Sequence, residues 1–368
     1  MAASSHGWFS GLLTFYGIGV LAWSIRNALA VQTVGRLFQP EVPTIRHGRI
    51  TTAVLVTGAT GFIGAALIRQ LAIDGHRVIA WSRDALQAGV MFGPNVWVVE
   101  SLDAIPSETQ IDHIVNLAGA RVLGLPWTSA RRRELLSSRV NVTAAVVDLM
   151  RRLQQRPRAL ISASAVGFYG ASPQNSFAPL DESQAARPGE FQSDLCIAIE
   201  HEATRAQALG VRVVRLRFGI VLGRGNGAYP MLALSSRFGL GAVMGSGQQA
   251  VPWVHLADAV GLIRFAMHNE HLKGAVNAVA PSTPSQTVFA QTMAASFSRR
   301  MYLRLPAAPL RALLGEMSTL LLDGQNAIPA AATLAGYTFT HPTLAGALED
   351  LACKSSKTLH ERQQQPAR

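Results

Sequence analysis

The stretch Val54-Leu55-Val56-Thr57-Gly58-Ala59-Thr60-Gly61-Phe62-Ile63-Gly64 decides how the rest of the chain is read. Ala53 to Val56 is a short apolar run, the pattern of a parallel strand buried on both faces. Glycines 58, 61 and 64 interrupt it, and an amphipathic pattern (Ile63, Leu67, Ile68, Leu71) begins at once. Strand, tight turn and helix in that order make the phosphate-binding unit of a dinucleotide fold. The first glycine permits the turn, the second lets backbone approach a pyrophosphate, and the third lets helix pack on strand. The helix N-terminus adds unpaired N–H groups and the positive end of its dipole. Gly58, Thr60, Gly61, Phe62, Ile63 and Gly64 are therefore expected to bind the cofactor.

From Thr52 onward strand and helix patterns alternate. Arg77–Trp81, Val96–Glu100, Ile111–Leu117, Ala159–Ser164 and Val211–Leu216 read as the next strands, with an apolar helix over Val140–Met150. Such alternation specifies an α/β fold, a Rossmann doubly wound parallel sheet with its ligand at the carboxyl ends of the strands. The end of the second strand selects the nucleotide. An acid there accepts hydrogen bonds from a ribose 2′-hydroxyl, whereas an arginine accommodates a 2′-phosphate. Here the strand runs into Ser82-Arg83, with Asp84 one step beyond, so the expected cofactor is NADP(H); the plainer reading of Arg83 is a solvated loop residue. Leu117, Ala118 and Gly119 close the fourth strand with residues small enough for a nucleotide to approach.

The second half is rich in glycine loops (Gly223 to Gly227, Gly239 to Gly247), which suit pocket walls and ordinary turns alike. Lys273–Val279 reads as a strand of a smaller domain, Thr287–Phe297 as a helix, and Leu310–Leu322 and Leu344–Cys353 as two more. The expected division is an amino-terminal segment with its linker (1–50), an NADP-binding core (51–222), a smaller substrate-type domain interleaved with that core (223–353), and a disordered basic tail (354–368).

Of the 368 residues 49% are hydrophobic and 15% charged, which supports a large core and excludes wholesale disorder. The formal net charge of +11 is carried almost entirely by arginine. Those arginines are scattered and lack interleaved aromatics, so nucleic acid is not the expected partner. A basic protein of an organelle matrix fits better. Cys196 and Cys353 stand far apart, with neither disulfide framework nor metal-ligand spacing, and no metal is expected.

Residues 1–50 are a separate object. Trp8 to Ile25 carries no charge, and the first acid of the chain is Glu41. A short membrane helix fits, although Gly11, Gly17 and Gly19 weaken it. The absence of acids, with Ser4, Ser5, Arg26 and Arg36, also fits a cleaved organelle presequence, and a core helix is the third option. The favoured reading is a retained anchor. Arg26, Arg36, Arg46 and Arg49 follow the apolar run and hold the main domain on the matrix or cytoplasmic side. The expected location is the mitochondrial inner membrane facing the matrix, with a plastid as second choice.

Val54–Gly64, Asn116–Gly119, Ser162–Gly170 and Trp253–Asp258, taken together and in order, resemble an extended short-chain dehydrogenase/reductase. More narrowly the chain is similar to the atypical "epimerase family" branch. Trp127 through Arg139, Asp181-Glu182-Ser183, Leu195-Cys196 with Glu200, Gly241 through Gln249, and the tail from Leu314 to Pro329 carry that resemblance, which spans Thr52 to Leu351. It implies an NADP(H)-binding Rossmann domain and a smaller carboxyl-terminal substrate domain.

The wider superfamily uses a tyrosine and a lysine four apart on one helix, with a serine that orients the substrate. Alignment through Glu200 places Gln192 and Cys196 where that pair belongs, and the first lysine of the chain is Lys273. Ser164 falls at the serine position. Tyr169 and Cys196 remain as proton-transfer candidates, and His255 with Asp258 is either a dyad or a helix cap that joins the domains. Arg217, Gln249 and Trp253 are expected to line the crevice, Arg217 facing a small anionic or nucleotide-linked substrate or making a salt bridge. Two functions follow as expectations: an atypical epimerase or oxidoreductase, or a non-catalytic nucleotide-binding subunit of a large mitochondrial membrane complex, like the Rossmann-type accessory subunit of respiratory complex I.

Overall fold

Strand β1 (Ala53–Thr57) is buried along its whole length, as its apolar sequence requires. The computed structural model describes residues 52–124, 127–171, 177–301 and 303–352. β2 (Arg77–Trp81), β3 (Val96–Val99), β4 (His113–Asn116), β5 (Ala159–Ala165) and β6 (Arg212–Phe218) follow, joined by α1 (Phe62–Ile73), α2 (Ala85–Phe92), α3 (Ser129–Arg152) and α4 (Phe191–Thr204). Every pairing among these strands is parallel.

Side-chain direction alternates along each strand, so a continuous apolar run must feed two layers. Val54 and Val56 pack with Leu67, Ile68 and Leu71 of α1 on one face. Leu55, Ile79, Ile114 and Leu160 meet Val146, Val147 and Met150 of α3 on the other. The basic stretch Arg131–Arg133 and the apolar stretch after it are a single helix, α3, begun by a Thr128 side chain that accepts from the Arg131 N–H.

The remaining elements are β7 (Ile220–Leu222), α5 (Tyr229–Arg237), β8 (Ala242–Met244), β9 (Trp253–His255), α6 (Leu256–His268), β10 (Gly274–Ala278), α7 (Gln286–Ala295), β11 (Leu303–Leu305), α8 (Ala307–Leu314), α9 (Thr319–Leu322) and α10 (Ala330–Leu334). A last helix covers residues 344–352. β7 pairs with β9 and β8 with β11, and a separate apolar cluster of Tyr229, Trp253, Phe289, Met293 and Leu348 supports them.

Two expectations are corrected here. The strand assigned to the smaller domain, β10, lies in the main sheet, where it pairs in parallel with β6 from Gly274↔Val214 to Ala278↔Phe218. The sheet thus has seven strands in the order β10-β6-β5-β4-β1-β2-β3. The helix expected over Leu310–Leu322 is broken at Gly315, whose φ of 55° lies in the left-handed region and stops α8 before a 3₁₀ turn leads into α9. Among the described residues no helix is long and apolar enough to cross a membrane. The expected anchor over 1–50 and the expected disordered tail lie outside the described residues.

Candidate nucleotide-binding crevice

Chain order runs outward from β1 through β2 to β3 on one side of the sheet, and from β4 through β5 and β6 to β10 on the other. The crevice of such a sheet opens at the carboxyl ends of the two strands where the direction reverses. Those strands are β1 and β4, and the loops that leave them touch. Gly58, at φ 65°, lies so close to the Leu117 backbone that a β-carbon would stand 2.6 Å from its carbonyl oxygen. Gly64 sits directly over the Gly58 carbonyl, where any side chain would overlap that oxygen. The turn is tied by the Gly61 N–H, which donates to Gly58 O at 2.9 Å.

A buried polar relay fixes the second loop. The Thr57 hydroxyl donates to Asn116 Oδ1 (2.6 Å), Asn116 Nδ2 donates to Thr143 Oγ1 (2.9 Å), and the Ala118 N–H donates back to Thr57 Oγ1 (3.3 Å). Asn116 and Thr143 thereby lock β4 and α3 to the glycine turn. No side chain caps α1, in contrast to α2, α3, α6 and α7. The first-turn N–H groups at Phe62, Ile63 and Gly64 have no intrahelical acceptor and are placed for an anion. The Phe62 ring turns away from this site into the loop at Gly223 and Gly227, so only its backbone faces the cradle.

At the end of β2, Ser82 is buried and its hydroxyl bonds to the Asp84 backbone. Asp84 caps α2, accepting the Gln87 N–H at 2.8 Å. Arg83 is exposed and has no ion-pair partner among the described residues. The carboxylate that could have served a ribose is thus engaged elsewhere, and the guanidinium beside it is available.

Gln192 and Cys196 share the face of α4 that meets the turn after β5. A β-carbon on Gly167 would lie 3.7 Å from Gln192 and 3.8 Å from the Cys196 sulfur. Burial pushes the Cys196 thiol up to about 11, with the Glu200 charge adding to it. A neutral, enclosed thiol is a poor base at neutral pH. Tyr169 is also buried, and burial raises its pKa above the ordinary phenol value. Its oxygen accepts from Arg217 (3.0 Å) and donates to Asn277 Oδ1 (2.8 Å). Ser164 donates to Glu200 Oε1 at 2.8 Å, and its hydroxyl also lies against the Cys196 thiol.

Arg217, expected at the crevice wall, is instead 2% exposed. Its Nε and Nη2 reach the two Glu200 oxygens at 2.8 and 2.9 Å, and its guanidinium lies 3.4 Å from the centre of the Phe168 ring. The same carboxylate also receives Arg215 at 3.2 Å. This settles the open alternative for Arg217 as an ion pair within the core. Sequence reasoning missed the cation that does lie beside the loop after β4. The Arg139 guanidinium covers Gly119, bonding to the carbonyls of Ala120 (2.7 Å) and Leu135 (3.2 Å), with no carboxylate partner among the described residues. Burial lowers its pKa. An arginine about three turns into a helix that opens on three other arginines gives no sequence signal until that helix is laid against the loop.

Gln249 and Trp253 serve the frame. The Gln249 amide donates to the carbonyls of Met244 and Leu321, and the fully buried Trp253 donates to Ser282 O. His255 caps α6, its Nδ1 accepting the Ala257 N–H, while Asp258 accepts from the N–H groups of Thr340 and His341. His255, His341 and Asp350 bring their ligand atoms within 4.8 Å of one another. Three features oppose a metal there. Because Nδ1 accepts, Nε2 keeps the proton a metal would have to displace; Arg224 already pairs with Asp350; and the helix N-terminus is positive.

Residues 54–278 match the family described as NAD dependent epimerase/dehydratase, and residues 305–351 match a domain of unknown function, DUF1731. The epimerase family protein YfhF of Bacillus subtilis is 36% identical over 299 residues, covering 81% of this chain and 97% of its own. The human epimerase family protein SDR39U1 is 35% identical over 303 residues, covering 81% and 99%. A crystal structure of that human protein (isoform 2) with NADPH superimposes with a TM-score of 0.73 at 34% identity, over 82% of this chain and 99% of that one. A nucleoside-diphosphate sugar epimerase from Corynebacterium glutamicum gives 0.65 at 25% identity, over 84% and 61%. With a glycine turn at the sheet's reversal point, an uncapped α1 and relatives of this extent, the chain belongs to the NAD dependent epimerase/dehydratase family.

Proposed function

We propose that the crevice holds NADP(H), its 2′-phosphate on Arg83, in an atypical epimerase-like protein that lacks the tyrosine–lysine pair usual in the superfamily. One observation carries the choice of nucleotide: Arg83 is exposed beside β2 while Asp84 is locked as the cap of α2. The NADPH present in the solved human relative supports it. When bound, the nicotinamide gives or takes a hydride. The chain itself binds the pyrophosphate through the open turn of α1, orients the loop after β4 through Thr57, Asn116 and Thr143, and offers Arg139 to an anionic substrate. Ser164, at the serine position, is held by Glu200. An organelle membrane location, with the acid-free first 40 residues on the mitochondrial inner membrane and the crevice on the matrix side, belongs to the same reading.

The test is a titration of the purified full chain with NADPH and NADH. NADPH is expected to bind more tightly. Arg83→Asp should weaken it by about tenfold to a hundredfold, the range for a charge-assisted hydrogen bond, and leave NADH nearly unchanged. Equal affinities in the unmodified protein would overturn the assignment.

The closed bonding of Tyr169 to Arg217 and Asn277, with the neutral Cys196, favours a second reading: a nucleotide-bound accessory subunit of a large mitochondrial membrane complex. Comigration with a large assembly on a native gel after mild detergent extraction supports that role. Migration as a free monomer or dimer supports the enzyme.

A further inference from the structure

Helix α5 is amphipathic in the wrong sense for a water-facing surface. Tyr229, Ala233 and Ser236 form its inner face. Met231, Leu234 and, just past its end, Phe238 stand outward at helical spacing, Leu234 58% and Phe238 73% exposed. Leu240 adds a fourth exposed apolar side chain. Patches of this kind on a soluble protein mark a contact surface.

The fold sets arginines into that rim. The Arg237 guanidinium lies 5.9 Å from the centre of the Phe297 ring, which brings the carboxyl ends of α5 and α7 together. The chain leaves α7 through Ser298 in a left-handed turn, with the Arg299 N–H donating to Ala294 O, and presents exposed Arg299 and Arg300. β11 then pairs with β8 in parallel, Leu303 against Ala242, which draws the starts of the two strands together. Leu240 precedes β8 by two residues, as Met301 precedes β11. Gln291, Arg299, Arg300 and Met301 line a shallow depression of about 310 Å³ at this place.

Charge identifies the occupant. From Gly219 to Ala257 and from His271 to Gly315 the sequence has no aspartate or glutamate, so α5, β8, α7 and β11 carry cations and apolar groups without a single carboxylate. Apolar side chains that can enter an acyl boundary, flanked by arginines at headgroup level, match an anionic bilayer. A bilayer meets the protruding Phe238 and Leu234 with its acyl boundary and the arginines with its headgroup phosphates on one continuous surface. We infer that the rim formed by the carboxyl ends of α5 and α7 and the starts of β8 and β11 docks on anionic phospholipid, with headgroup phosphates on Arg299 and Arg300. This surface is distinct from the expected amino-terminal anchor and does not depend on the nucleotide reading.

The experiment uses the full chain with Leu240→Cys carrying an environment-sensitive fluorophore, in a Cys353→Ser background so that the one other thiol, Cys196, is buried. A label at residue 240 reports this face even if residues 1–50 also bind lipid. Vesicles of phosphatidylcholine with roughly one-third phosphatidylglycerol should shift the emission to the blue, an effect weakened by salt and absent on phosphatidylcholine alone. Arg299→Gln with Arg300→Gln should weaken the response roughly thirtyfold while leaving the melting temperature unchanged. The inference fails if anionic vesicles give no shift, if neutral vesicles give the same shift, or if the double variant responds like the parent. A shift that grows with protein concentration without lipid points to a second copy, one produced by single-stranded RNA points to nucleic acid, and either overturns it.

Discussion

One methyl group tests the glycine turn. At Gly64 it would run into the Gly58 carbonyl. Gly64→Ala should abolish nucleotide binding in a titration and destabilise the fold by about 1–3 kcal/mol, because backbone on both sides must move. Tyr169→Phe tests a different claim. It leaves a buried Arg217 N–H and Asn277 Oδ1 without their phenol partner, at an expected cost of about 1–3 kcal/mol in urea unfolding. Loss of turnover with stability intact would instead make the phenol a catalytic group. The contrast shows what single residues reveal before folding. Gly58, Gly61 and Gly64 were legible because their constraint is local, a turn and a close approach within seven residues. Arg217 was not, because the carboxylate that occupies it comes from α4, which packs over the place where the β5–β6 register sets Arg217 opposite Ser164. Arg139 was hidden for the same reason.

Elements were read better as existing than as placed. Each strand from β1 to β6 appears where its apolar run lies, since that pattern is set by the strand's own two faces. β10 was seen as a strand, but its partner was not, because pairing with β6 is decided by a chain excursion of more than fifty residues. Helix α6 was read with its role left between two alternatives. Its first turn was read as a dyad or as a cap that joins the domains, and the structure gives the second: His255 caps the helix and Asp258 ties it to residues 340 and 341. Asp258, fully buried, accepts from Thr340 N–H at 2.7 Å and His341 N–H at 2.8 Å. Asp258→Asn should therefore cost about 1.5–3 kcal/mol and speed amide hydrogen exchange at residues 340 and 341 ahead of the sheet. Exchange that rises equally in β1 would show that the tether has no independent stability.

For the molecule as a whole, pH is the sharpest probe of buried imidazoles. Burial pushes His113 and His255 down from 6.5 to about 4, His341 adding to the effect at His255. Unfolded, both take up protons near 6.5, so in the window between about 4 and 6.5 the unfolded chain binds more protons than the folded one. Their contribution is complete above that window and is lost as pH falls through it, by up to about 1.4 kcal/mol per pH unit for each. Urea midpoints should fall from pH 7 to pH 5, and His113→Asn should flatten the decline. A midpoint independent of pH over that range would contradict both placements.

The edge strand β10 also constrains synthesis. Although most of the sheet is encoded before residue 219, its border is supplied by residues 274–278, after the chain has gone out to build β7, α5, β8, β9 and α6. A nascent chain leaving the ribosome must hold β6 with one bare flank until those codons are translated. A fragment ending at residue 222 keeps that flank open permanently, ready to recruit a strand from another molecule. Any attempt to express the nucleotide-binding half alone has to carry the chain through residue 278.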